Sequence, residues 1–169
     1  AHFNPAVTVA FATIKRFQWR EVPFYVLSQC LGAFAAMCLL NAILPTGSSY
    51  AATVVSGIST MQGFVWEFLM TFLLMFVVMG IATDSRSQGA LAGLLIGAIV
   101  TLNVLVGGSL TGTSMNPARS LASAYFEGRM GIMWLYIIAP TLGACSAGIL
   151  YEWIKESKKV VATNSPVKA

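Results

Sequence analysis

Charge is scarce in this chain: of 169 residues only 9% are Asp, Glu, Lys or Arg, about a third of the share usual in soluble domains, while 57% are apolar. With a mean hydropathy of +0.76 this is a membrane composition. Histidine occurs once, at His2, and the three cysteines, Cys30, Cys38 and Cys145, all lie inside apolar stretches. A thiol there is a small buried hydrophobe, three thiols cannot all pair, and one His cannot complete a zinc site with distant sulfurs. No metal, redox centre or cofactor is therefore expected. A nucleophile elbow, a Gly-rich phosphate loop and a paired-carboxylate motif are all missing, which excludes the common enzyme classes. The ten Lys and Arg give a formal charge of +4, but they are scattered between apolar runs. A nucleic-acid-binding face is thereby excluded too.

Long apolar runs are abundant. A bilayer core about 30 Å thick needs roughly 20 largely apolar residues at a rise of ~1.5 Å each. Four windows qualify: residues 24–44 without a charge, 64–83 with only Glu67, 89–110 without a charge, and 131–151, which carries Pro140 internally. Two more apolar segments, 4–14 and 116–126, are half that length, and both open with Asn-Pro. Asn is a strong N-cap and Pro suits the first helical position, where its missing N–H has no intrahelical partner to lose.

The two short segments align as Ala-His-Phe-Asn-Pro-Ala-Val-Thr (1–8) against Thr-Ser-Met-Asn-Pro-Ala-Arg-Ser (113–120), with Asn4 and Asn116 112 residues apart. Three crossings lie between them, and an odd number inverts the second copy relative to the first. The second copy is preceded by two spans and followed by one, so symmetry calls for two spans before Ala1. The expected fold is all-α and membrane-embedded: an inverted repeat with two re-entrant half-helices and four of six spans, the broken-helix plan of repeat-built transporters. A single channel-like domain is expected over 1–155, with a C-terminal tail at 156–169. If the spans alternate, Lys15, Arg16, Arg20, Arg86, Lys155, Lys158, Lys159 and Lys168 share one side and Arg129 the other, which puts the C-terminus in the cytoplasm.

Irregular backbone at membrane depth is tolerated only where it is buried in protein or lines a watery cavity, so two symmetric breaks imply a passage. Opposed half-helices aim two positive dipole ends, each about half a charge, at the midplane, a field that repels cations. By residue type alone each Asn is a helix cap. Arg119, in the first turn of an apolar half-helix, needs to snorkel or find a partner. Glu67, deep in a span, needs an interhelical ion pair or protonation in a packed site.

The two Asn-Pro-Ala segments, each flanked by spans, resemble the signature loops of the aquaporin (major intrinsic protein) superfamily, and the resemblance covers essentially the whole chain. It implies six spans, four pores per homotetramer and passive passage of water and small neutral solutes through a lipid bilayer, and the expected bilayer is the plasma membrane. It assigns Asn4, Pro5, Ala6, Asn116, Pro117 and Ala118 to the pore centre, where the Asn amides donate to the passing oxygen. Arg119 becomes the arginine of the outer selectivity filter, Glu67 a carboxylate accepting N–H groups of a pore loop, and His2 a pore-lining residue.

Water-selective members carry His twelve residues before the second Asn; here that position is Val104. The set Val104, Thr113 and Arg119 is most similar to the plant nodulin-like intrinsic branch, whose members pass glycerol, urea, ammonia and undissociated metalloid acids as well as water. Thr113 departs from the commoner Ala of that branch. The alternative is a shortened, non-conducting or regulatory isoform that joins intact subunits.

Overall fold

The computed structural model describes residues 1–45, 52–83 and 91–164, with side chains left undescribed at 82–83 and from 156 onward. Arg86 and Lys168 lie outside the described residues, as do the side chains of Lys158 and Lys159. The α-helices among the described residues are α1 (Pro5–Thr13), α2 (Val22–Ile43), α3 (Thr60–Thr83), α4 (Ala92–Thr111), α5 (Pro117–Phe126) and α6 (Met133–Asn164). Four of these, α2, α3, α4 and α6, are long and apolar enough to cross a membrane. α6 continues through residues 156–164, so the segment expected as a tail begins as helix.

The half-helices α1 and α5 are bounded by the same devices. Asn4 and Asn116 are extended N-caps whose side chains accept from Ala6 N–H and from Ala118 and Arg119 N–H, and Pro stands at the first helical position of each. At the other end Lys15 (φ 60°) and Gly128 (φ 67°) turn left-handed. There Arg16 N–H donates to Phe11 O and Arg129 N–H to Ala124 O, both at 2.8 Å, the wide bond that closes a Schellman turn. A single 3₁₀ turn then leads into each long helix, α2 or α6.

The repeat extends into those long helices, where Leu31-Gly32-Ala33 matches Leu142-Gly143-Ala144. Gly143 packs against α3 so closely that a Cβ there would collide with the Phe68 carbonyl oxygen, with Phe68 C and Phe72 N both at 3.1 Å; at Gly32 a Cβ would meet nothing within 4 Å. Close approach over small residues is how helices associate where lipid removes the hydrophobic drive. The largest core cluster among the described residues forms on this α3/α6 contact. Met75 and Met79 pack there with Ala144, Ala147 and the Ala6, Val7 and Ala10 face of α1. By contrast α2 buries only Val22 and Met37, and α4 only Asn103, Gly107 and Thr111.

Candidate functional site

The two half-helices meet at their N-terminal tips, and their caps are exchanged. Asn4 Nδ2 donates to the carbonyl of Met115 at 2.6 Å, and Asn116 Nδ2 donates to the carbonyl of Phe3 at 3.0 Å. Each amide thus caps its own helix through Oδ1 while bonding the residue just before the other Asn through one N–H, which leaves its second N–H for another acceptor. Both Asn residues are half-buried.

The loop before α5 is the more tightly held. Gly112 (φ 75°) ends α4 in the left-handed region, and a Cβ there would lie 2.6 Å from Ala52 O. Thr113 (φ 40°) and Met115 (φ 52°) follow, also left-handed. A β-branched residue in that region costs of order 1–3 kcal/mol and persists only when its surroundings over-determine it. Glu67, fully buried on α3, supplies the constraint. Its Oε1 accepts from Thr111 Oγ1 (2.7 Å) and Ser114 N (2.8 Å), and its Oε2 from Met115 N (2.9 Å). Tyr136, buried on α6, donates to Thr111 O at 2.8 Å and closes the network from behind.

The loop before α1 is held by different chemistry. His2 Nδ1 pairs with Thr8 Oγ1 at 2.8 Å, and Gln29 Nε2 on α2 reaches both His2 O and Thr8 Oγ1 at 2.9 Å. His2 is ringed by Phe11, Phe17 and Tyr25, with centroids 4.7–5.5 Å away.

The residues expected to select the solute have different surroundings. Arg119 and Asn116 line a cavity of about 260 Å³ that also touches Phe3, Ala118 and the Ser28, Gln29, Gly32 and Ala33 face of α2. Among the described residues Arg119 Nη1 and Gln29 Oε1 are both buried without a hydrogen-bond partner. Val104 stands on the exposed side of α4, about half accessible. Thr113 is turned away: its side chain is buried, and its hydroxyl donates to Asn103 O at 3.3 Å. Gln29, Asn103 and the Thr8, Thr111 and Ser120 hydroxyls had no place in the expected site. Their signal was faint but present, as solitary polar groups inside apolar helices.

Residues 1–151 match the major intrinsic protein family. The chain belongs to that family. Family members with which it shares most of its length include nodulin-26 of Glycine max, 45% identical over 159 residues (94% of this chain, 58% of nodulin-26). Others are aquaporin NIP1-1 of Oryza sativa subsp. japonica, 46% identical over 159 residues (94% and 56%), and the probable aquaporin NIP5-1 of Arabidopsis thaliana, 43% identical over 169 residues (100% and 55%). The chain therefore spans somewhat more than half the length of these major intrinsic proteins. In fold it matches the X-ray structure of the aquaglyceroporin from Plasmodium falciparum, with a TM-score of 0.82, 22% identity, and coverage of 92% of this chain and 73% of that one. It is an integral, multi-pass member of the family, of aquaporin fold and most like the nodulin-26 branch.

Proposed function

We propose that this chain forms the passage of a channel for water and small uncharged solutes that excludes ions and protons. The observation that carries the reading is the pair of exchanged Asn caps. Two membrane half-helices meet tip to tip, and each presents a spare amide hydrogen at the meeting point. A solute oxygen passing there accepts from Asn4 and Asn116 at once, which occupies the lone pairs a relayed proton would need. The helix dipoles and the Arg119 guanidinium add a positive field against cations. Pro5, Ala6, Pro117 and Ala118 are buried and keep the tips narrow.

In this reading Arg119 and Val104 choose the solute. An isopropyl group at Val104 leaves more room than an imidazole, which favours glycerol, urea, ammonia or undissociated metalloid acids alongside water. Thr113 acts by bracing the loop, its hydroxyl held on Asn103 O rather than offered to the solute, and His2 lines the opposite side of the passage. The likeness to relatives named aquaporin supports a channel of this class. The C-terminus faces the cytoplasm, the bilayer is the plasma membrane, and four copies assemble.

The test is stopped-flow light scattering of vesicles holding the protein with whatever residues its natural sequence places before Ala1. Water efflux and glycerol uptake well above empty vesicles are expected; rates equal to those of empty vesicles refute the reading.

A second reading rests on the faces of α2 and α4, which bury few residues and carry open glycines at Gly32, Gly93 and Gly97. Such faces suit a regulatory isoform that packs against intact subunits without conducting. Co-purification with those subunits, together with silence in vesicles, favours it.

A further inference from the structure

Three hydroxyl groups run in series behind the second Asn-Pro-Ala motif. Thr53, in the segment between α2 and α3, donates through Oγ1 to Ser120 Oγ at 2.9 Å. Ser120 Oγ contacts Ser114 Oγ, and Ser114 Oγ donates to the Asn116 carbonyl at 2.9 Å while accepting from Asn116 N–H at 3.2 Å. A hydroxyl has one hydrogen, so the direction is fixed by valence. Ser114 spends its hydrogen on a carbonyl, so Ser120 must donate to Ser114, and Thr53 must donate to Ser120. The series begins at Thr53 and ends on the residue that caps α5.

All three side chains are buried: Thr53 is 5% exposed, Ser114 3% and Ser120 0%. Hydrogen bonds aligned head to tail polarise one another, and in a medium of low dielectric an unfilled acceptor is costly. The segment that carries Thr53 is pressed against the end of α4 and the start of the same loop at two further points. Ser56 N donates to Leu110 O at 2.9 Å, and Ala52 O fills the space where Gly112 has no Cβ. Ser120 directly follows Arg119, so the series braces the first turn of α5, from which the guanidinium projects.

We propose that Thr53 is a positioning residue for the constriction at Arg119: its hydroxyl anchors the segment between α2 and α3 to the first turn of α5 and so sets the width at which solutes are discriminated. Thr53 makes no contact with the solute and acts through Ser120 and Ser114. The inference rests on the channel reading above.

The experiment compares wild type with Thr53→Val, which keeps the shape and removes the donor, and Thr53→Ser, which restores it. Glycerol and water permeabilities are measured on the same vesicles, and amide hydrogen exchange is followed across residues 114–120. The glycerol-to-water ratio is expected to rise roughly two- to tenfold in Thr53→Val, the scale of one lost buried hydrogen bond, and to return to the wild-type value in Thr53→Ser. Exchange at 114–120 accelerates in the Val variant alone. If Thr53→Val does not insert, Ser120→Ala cuts the series at its middle and must move the ratio the same way. A conducting wild type whose ratio is unchanged by these substitutions overturns the role of Thr53 and leaves the channel reading intact. A silent wild type sinks the channel reading; exchange then decides the bracing, and rates at 114–120 that are equal in wild type and Thr53→Val overturn it.

Discussion

Replacing Gly143 by Ala puts one methyl group where the structure has no room for it. The added Cβ would overlap the Phe68 carbonyl oxygen and sit 3.1 Å from Phe68 C and Phe72 N, all backbone atoms of α3. Backbone inside a helix cannot rotate aside as a side-chain tip can, so α3 and α6 must separate by about 1 Å. Overpacking of this kind costs typically 1–3 kcal/mol, occasionally more. The upper end applies here, because the same displacement loosens Met75 and Met79 against Ala144 and Ala147. Glu67 precedes Phe68 on α3, so it too is drawn off Ser114 N and Met115 N. At about 3 kcal/mol the folded-to-unfolded ratio falls roughly 150-fold. Equilibrium unfolding in mixed lipid–dodecyl sulfate micelles, followed by circular dichroism, measures the change. Gly131→Ala, where a Cβ meets nothing within 4 Å, is the control and should stay within about 0.5 kcal/mol of wild type. If Gly143→Ala unfolds at the same dodecyl sulfate fraction as the control, the close α3/α6 contact is not what orders this bundle.

Glu67→Gln keeps the shape but exchanges one acceptor oxygen for an NH₂ group facing a backbone N–H; a loss of about 1–3 kcal/mol is expected, read from the same unfolding curve, and an unchanged midpoint would mean that the carboxylate is dispensable. Asn4→Ala and Asn116→Ala should each cost about 1 kcal/mol as lost caps. Because each side chain also bonds the opposite loop, the double variant should depart from additivity by at least ~0.5 kcal/mol; strictly additive values would show that the two tips are independent. Arg119→Val should raise cation leak, measured as ionic current across a planar bilayer, while water flux persists, and a current no greater than that of wild type counts against the electrostatic role of the guanidinium. Arg16 and Glu152, 2.7 Å apart but a third or so exposed, should contribute no more than about 1 kcal/mol, and raising the salt should erase it.

Whatever depends on local pattern was readable from the residues. Apolar length marked α2, α3, α4 and α6, and Asn-Pro marked the starts of α1 and α5, because a cap and a preset φ act within one turn. The carboxylate of Glu67 announced itself by its cost in an apolar span, while its partners, the N–H groups of Ser114 and Met115, were foreseen only through the family resemblance. What stayed hidden depends on contacts across the chain. Thr53 and Ser120 are 67 residues apart and Asn4 and Met115 are 111 apart, and no periodicity records such pairs. The orientation of Thr113 was hidden for another reason: its side chain follows a left-handed backbone angle imposed by Glu67 and Gly112, and Thr is not a residue type that signals such an angle.

The exchanged caps have a mechanical consequence. Because the amide of each half-helix grips the loop of the other, neither tip can retreat without pulling its counterpart, and the waist of the molecule behaves as a rivet. In the proposed channel, a stimulus arriving at one face of the membrane meets a girth that does not dilate, and control of flow then falls to obstruction at the rims rather than to stretching of the middle.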